Sequence, residues 1–152
     1  MDLTIDREAS SDGTRLSGGC LCGAVRYGSP GPALFAVVCH CRDCQRASGS
    51  GGVPILGVPK PSFTCQGPVK QSRIAGGSGL PAVRNFCGDC GSLLFGTPES
   101  APEMVTIYAG SLDDPGAFAP TDALFVGQRP PWARLTGPLC EHEALPAPVT
   151  GR

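Results

Sequence analysis

RNFCGDCGSLLF, residues 84–95, sets two cysteines with C-x-x-C spacing between two short apolar runs. The runs AVRNFC (82–87) and SLLFG (92–96) are rich in Val, Leu and Phe and bounded by turn residues, which predicts strands. Gly88 and Gly91 flank the second cysteine and let the backbone fold back, so that amide N–H groups aim at thiolates. Two sulfurs are half of a closed tetrahedral zinc site. The other half is sought in C-L-C, residues 20–22, which has Gly18 and Gly19 before it and Gly23 after it. Joining Cys20 and Cys22 to Cys87 and Cys90 would pin the start of the domain to its middle.

The rest of the chain fits a mainly β fold. Its 152 residues suggest one domain, and 22 Gly with 16 Pro disfavour a helical bundle. Further strands are expected at GAVRY (23–27), ALFAVVC (33–39), GVPILGV (52–58), MVTIYAG (104–110) and DALFV (122–126). RDCQRAS (42–48) has the pattern of one short helix. Residues 1–16 read as a flexible polar leader, 17–140 as the domain and 141–152 as a loose Pro-rich tail.

A net charge of -1 offers no basic field for nucleic acid. No stretch is long and apolar enough to span a membrane, and the first residues lack the apolar core of a signal peptide. The expectation is a cytoplasmic protein, monomer or homodimer, whose thiols stay reduced. Nine cysteines there read as metal ligands or catalytic thiols before disulfides, and an odd number cannot all pair.

CHCRDC, residues 39–44, is left over once the outer pairs are joined. Cys39, Cys41 and Cys44 give three ligands and an open position, the arithmetic of a catalytic or ligand-exchanging zinc. A second structural site is the alternative, closed by His40 or by Cys65. Strand alternation would turn His40 away from its neighbours. A redox role for Cys87 and Cys90 lacks the βαβ context it needs. Cys65 and Cys140 otherwise read as free thiols.

GGCLCGAVRY, CHCRDCQRASGS and RNFCGDCGSLLF together resemble the glutathione-dependent formaldehyde-activating enzyme family, which also includes centromere protein V. YAGSLDDP (108–115) and FVGQRPPW (125–132) match more loosely, and the resemblance covers residues 17–135. It implies a β-tent fold of small antiparallel sheets around zinc. It implies a structural zinc on Cys20, Cys22, Cys87 and Cys90, and a second zinc on Cys39, Cys41 and Cys44. It implies condensation of formaldehyde with glutathione to S-hydroxymethylglutathione, a carbon–sulfur lyase reaction, or chemistry on a related thiol adduct. The stretch from Phe63 departs from the family in its lack of aromatics and in carrying Cys65.

Three thiolates on zinc carry a formal charge of -1, and a substrate thiolate adds another. Arg42, Arg46 and Arg84 flank the clusters and are candidates to balance that charge or hold glutathione carboxylates, the alternative being solvated arginines. Ser48, Gly49 and Ser50 are candidate rim donors, and Trp132 a core or rim packing residue. An enzyme, a zinc-stabilised binding module and a double-zinc scaffold remain three distinct readings.

Overall fold

The computed structural model describes residues 15–146. In chain order the strands are β1 (Leu16–Gly19), β2 (Arg26–Ser29), β3 (Phe35–Cys39), β4 (Val53–Pro59), β5 (Thr64–Gln66), β6 (Val69–Ala75), β7 (Pro81–Cys87), β8 (Leu93–Gly96), β9 (Met104–Tyr108), β10 (Asp122–Leu124) and β11 (Cys140–His142). One helix, α1 (Arg42–Ser48), lies between β3 and β4. Among the described residues no helix is long and apolar enough to cross a membrane.

The fold is mainly β, built from two sheets. The smaller is antiparallel, in the order β1-β2-β5. The larger has eight strands in the order β11-β10-β3-β4-β9-β8-β7-β6, and β10 runs parallel to both β3 and β11. All its other pairs are antiparallel, in keeping with the mainly β fold of antiparallel sheets expected.

Its register decides which face each side chain takes, because alternate residues of a strand point to opposite faces. Leu56, Ile107, Phe95 and Asn85 are successive cross-strand neighbours and share one face. The small sheet covers that face, where Leu16, Val25 and Tyr27 join Leu56, Phe95 and Ile107 in the main core. Each large apolar side chain buried there contributes about 1.5–3 kcal/mol. The other face carries Val37, Ile55 and Tyr108 in one row and Thr106, Gly96 and Arg84 in another. Cys39, two residues from Val37 on β3, shares it, and a second core cluster of Val37, Cys39, Cys41, Leu124 and Phe125 forms there.

The GAVRY strand starts late. Gly23 takes φ +80° and the Cys20 N–H donates to the Val25 carbonyl at 3.1 Å, so residues 20–25 wrap into a turn before β2 begins at Arg26. At the domain edges, Leu16 is buried and paired with Ser29, so the last residue of the expected leader belongs to the fold. Glu141 and His142 of the expected tail pair with Ala123 and Leu124. The remainder of the leader and tail, residues 1–14 and 147–152, lies outside the described residues.

Candidate functional site

The sulfurs of Cys20, Cys22, Cys87 and Cys90 lie within 4.8 Å of one another. Cys20 Sγ stands 3.5 Å from Cys22 Sγ, and Cys22 Sγ stands 3.8 Å from Cys87 Sγ. A ZnS₄ tetrahedron with Zn–S near 2.3 Å has edges of about 3.8 Å, so the donor set fits zinc in number, chemistry and spacing. Two tight turns build it. The Val25 N–H donates to Cys20 Sγ at 3.2 Å, and the Gly91 N–H to the Cys87 carbonyl at 2.9 Å with Gly91 at φ +75°. Ser92 ties the turns together: its Oγ accepts from the Leu21 N–H at 3.1 Å and lies 3.1 Å from Cys90 Sγ. The Ser92 hydroxyl, then its backbone N–H, draw the Cys90 thiol down to about 5.

Cys39, Cys41 and Cys44 form the second group, also within 4.8 Å, and no fourth Cys, His or carboxylate among the described residues joins it. Cys39 ends β3. Cys41 is the N-cap of α1, its Sγ accepting from the Cys44 N–H at 3.3 Å, and Cys44 sits in the first turn. The thiols of Cys39 and Cys44 also point at Cys41 and draw its pKa down to about 2. Cys44, drawn down by Cys39 but pushed up by Cys41 and by burial, rises to about 11.

His40 is turned away from these sulfurs, as alternation requires. It is 1 % exposed, and its Nδ1–H donates to the Gly51 carbonyl at 2.8 Å. Its own backbone is held from both sides. The His40 N–H donates to the Leu124 carbonyl at 2.9 Å, and its carbonyl accepts from Gln45 Nε2 at 2.6 Å. Gln45 Nε2 also reaches the Gln128 carbonyl at 2.9 Å, so the buried Gln45 fastens α1 to the chain after β10. Cys65 is elsewhere: it lines a cavity of about 510 Å³ with Lys60, Phe63 and Asn85, on the far side of the large sheet. Cys140 is exposed on β11.

The expected rim residues are distributed unevenly. Arg42 and Arg46 are exposed on α1, with an Arg42 guanidinium N–H donating to Gln45 Oε1. Ser48 Oγ donates to the Cys44 carbonyl at 2.8 Å, and the Gly49 N–H to the Gln45 carbonyl at 2.8 Å with Gly49 at φ +71°. Both of those donors are taken up in ending the helix. Ser50 Oγ donates to the Gly52 carbonyl at 2.6 Å. Trp132 is 74 % exposed, with its ring over Gly51.

Arg84 is the cation the fold brings inside. It is only 7 % exposed, on the same sheet face as Cys39, and its charge acts on Cys44. Tyr108 stands beside it. Burial pushes the Tyr108 hydroxyl up to about 12, against the opposing pull of Arg84. Phe125, at φ 54°, packs with Val37, Cys39 and Cys41 in the second core cluster and is the one non-glycine residue with positive φ among the described residues. Such a backbone persists only where its surroundings hold it. Sequence reasoning gave Tyr108 no role, since nothing in MVTIYAG distinguishes a site tyrosine from a strand tyrosine.

The family described as glutathione-dependent formaldehyde-activating enzyme matches residues 15–128. A Halomonas elongata protein named "Putative glutathione-dependent formaldehyde-activating enzyme" is 31% identical over 128 residues, covering 79% of this chain and 80% of that one. A Rhodobacter sphaeroides protein of known crystal structure, a Northeast Structural Genomics target, shares the fold with a TM-score of 0.51 at 22% identity, over 64% of this chain and 87% of that one.

Proposed function

Because the chain belongs to the glutathione-dependent formaldehyde-activating enzyme family, we propose that it is a zinc-dependent carbon–sulfur lyase, condensing formaldehyde with glutathione to S-hydroxymethylglutathione. The observation that carries this reading is the three-sulfur group without a fourth protein ligand among the described residues. The four-sulfur group is complete and reads as structural; the three-sulfur group is one donor short and reads as the place for a substrate thiol. Zinc bound there would supply a Lewis acid that keeps an incoming thiol ionised near neutral pH.

The chain's residues do the rest. Cys39, Cys41 and Cys44 hold the metal, and Arg84 sets a buried positive charge against the thiolates. Arg42 and Arg46, exposed on α1, are assigned to the carboxylates of glutathione, where a guanidinium fork matches a carboxylate. Ser48 and Gly49 shape the rim by closing the helix. Free thiols across the molecule suit a reducing compartment, the cytoplasm.

The test is zinc stoichiometry with and without glutathione, followed by product formation from formaldehyde. Two zinc ions per chain are expected, with Cys39→Ser losing one ion and the activity. Thiol binding by calorimetry with no product from any aldehyde would instead make this a binding module. One tightly held zinc and an unaffected Cys39→Ser variant would remove the reading altogether.

A further inference from the structure

We propose that the tip of the β6–β7 hairpin roofs the three-cysteine centre, and that Ile74 and Leu80 on its underside select thiol adducts of aldehydes that carry an apolar group. This rests on the condensation reading above and widens its aldehyde partner beyond formaldehyde.

The hairpin reaches the centre by a direct approach. Residues 76–80 close its turn: the Gly76 N–H donates to the Leu80 carbonyl and the Gly79 N–H to the Gly76 carbonyl, each at 3.0 Å, with Gly79 at φ +82°. At the apex, a Cβ on Gly77 would lie 2.9 Å from Phe125 Cζ. Phe125 follows β10 and is buried in one cluster with Val37, Cys39 and Cys41. Five steps of the large sheet separate β10 from β7. In a flat sheet that would be about 24 Å, at about 4.8 Å per step. Twist of about 20–25° per step instead swings the hairpin round by about 100°. The hairpin therefore arches over the face that carries Cys39, while the small sheet covers the other.

Phe125 is held for this approach. Its left-handed backbone, at φ 54°, is one that a bulky side chain keeps only where its surroundings fix it. The residue is 8% exposed, and Gly77 has no side chain to hold the tip off its ring.

The underside of the hairpin is apolar and uncovered. Ser72 pairs with Arg84 and Ile74 with Ala82, and the Gly76–Leu80 bond continues that register. Alternation puts Ile74 and Leu80 on the face of Arg84, which is also the face of Cys39. Ile74 is 64% exposed there and Leu80 49%. Paired large apolar side chains left open beside a site mark the chemistry of what enters it. Glutathione is a charged tripeptide and formaldehyde has no carbon chain. The group that suits these side chains is the hydrocarbon of a larger aldehyde, joined to the sulfur.

The step balances without a further reagent. The glutathione thiol loses its proton to solvent. The thiolate sulfur forms the new C–S bond to the aldehyde carbon, and the C=O π pair moves onto oxygen. A proton from solvent completes the hydroxyl, and the hydrocarbon group is carried through unchanged.

The experiment uses the zinc-loaded full chain, the double variant Ile74→Thr with Leu80→Ser, and Gly77→Ala. Calorimetry measures the affinities for S-methylglutathione and S-hexylglutathione, and kinetics compare hexanal with formaldehyde as partners of glutathione. Wild type should bind the hexyl compound about tenfold more tightly or better, since each buried methylene is worth about fourfold. Both variants should keep the zinc content and the S-methylglutathione affinity. Both should lose the hexyl preference, and the hexanal-to-formaldehyde rate ratio should fall by about the same tenfold factor. Equal binding of the two compounds by wild type, or a hexyl preference that survives in the double variant, overturns the inference and leaves the condensation reading intact. A preference lost in both variants, with no product from either aldehyde, overturns the condensation reading and keeps the role of the hairpin. A wild type that binds neither compound and yields no product overturns both.

Discussion

The imidazole of His40 and the carbonyl of Gly51 meet at 2.8 Å beneath the three-cysteine centre, and this bond turns the histidine from a candidate ligand into a fastener. A carbonyl only accepts, so Nδ1 carries the proton. The ring also rests on Gly52, where a Cβ would stand 2.7 Å from Nδ1. With its backbone held by Leu124 and Gln45, His40 fixes the extended segment that presents Cys39 and Cys41 to one side. His40→Ala should therefore cost about 2–4 kcal/mol, combining a cavity with an unpaired buried carbonyl. Chemical denaturation should show a lower midpoint while zinc stoichiometry holds. A histidine that served as ligand would give the reverse: one zinc lost and the midpoint nearly unchanged.

The two cysteine groups should fail differently. Cys87 is fully buried, and the four-sulfur group joins β1 and β2 of the small sheet to β7 and β8 of the large one. Structural zinc in small domains contributes on the order of 10 kcal/mol to folding. Cys87→Ser, or chelation strong enough to strip that site, should therefore unfold the domain. Cys44→Ser should lose one zinc and retain a cooperative thermal transition, since Cys44 lies in the first turn of a single short helix. Equal melting temperatures for the two variants would contradict this division.

How far the residues alone disclosed this arrangement depends on what each element buries. The span of α1 matches the RDCQRAS pattern, and the structure adds the Cys41 cap and the Gly49 closure that bound it. Strands β3, β4 and β7 carry apolar runs because they lie inside the large sheet, and their spans match to within two residues. Edge strand β6 has mostly exposed side chains and is held by backbone pairing to β7, so VKQSRIA carries no periodic signal. The grouping of the seven cysteines followed from spacing and ligand number. The placing of Arg84 and Tyr108 on the sheet face that carries Cys39 did not, because cross-strand register depends on pairings distant in sequence.

Alkaline titration gives an independent check on the burial of both tyrosines. The chain has two, and burial is the main cause raising each of them, Tyr27 and Tyr108, to about 12. An unfolded tyrosine ionises near about 10. The folded pKa is raised, so this stability is complete below about pH 10 and is lost as pH rises through about 12. The tyrosinate absorbance should stay flat through the range where free tyrosine titrates, then rise together with unfolding. A reversible step near the free value, in protein still folded, would mean that one ring is open to solvent.

On the acid side one responsive contact is Asp113, which clasps the small sheet. It accepts from Ser17 Oγ and from Arg26 Nη1, each at 2.8 Å, and its N–H donates to the Ser17 carbonyl at 3.0 Å. Arg26 is the main cause holding the Asp113 carboxyl below its usual value of 3.8, with Ser17 adding to it. The folded pKa is lowered, so the contribution is present above about 3.8 and is lost as pH falls through the folded value. Both partners are roughly half exposed, with side-chain exposures of 52% and 44%, so solvent screening limits the ion pair to about 0.2–1 kcal/mol. Asp113→Asn should keep the backbone bond to Ser17 and lower the denaturation midpoint slightly at neutral pH. The difference from wild type should shrink both in high salt and as pH falls through the Asp113 titration. A difference that persists unchanged in both conditions would show that shape at Asp113, not charge, holds the small sheet in place.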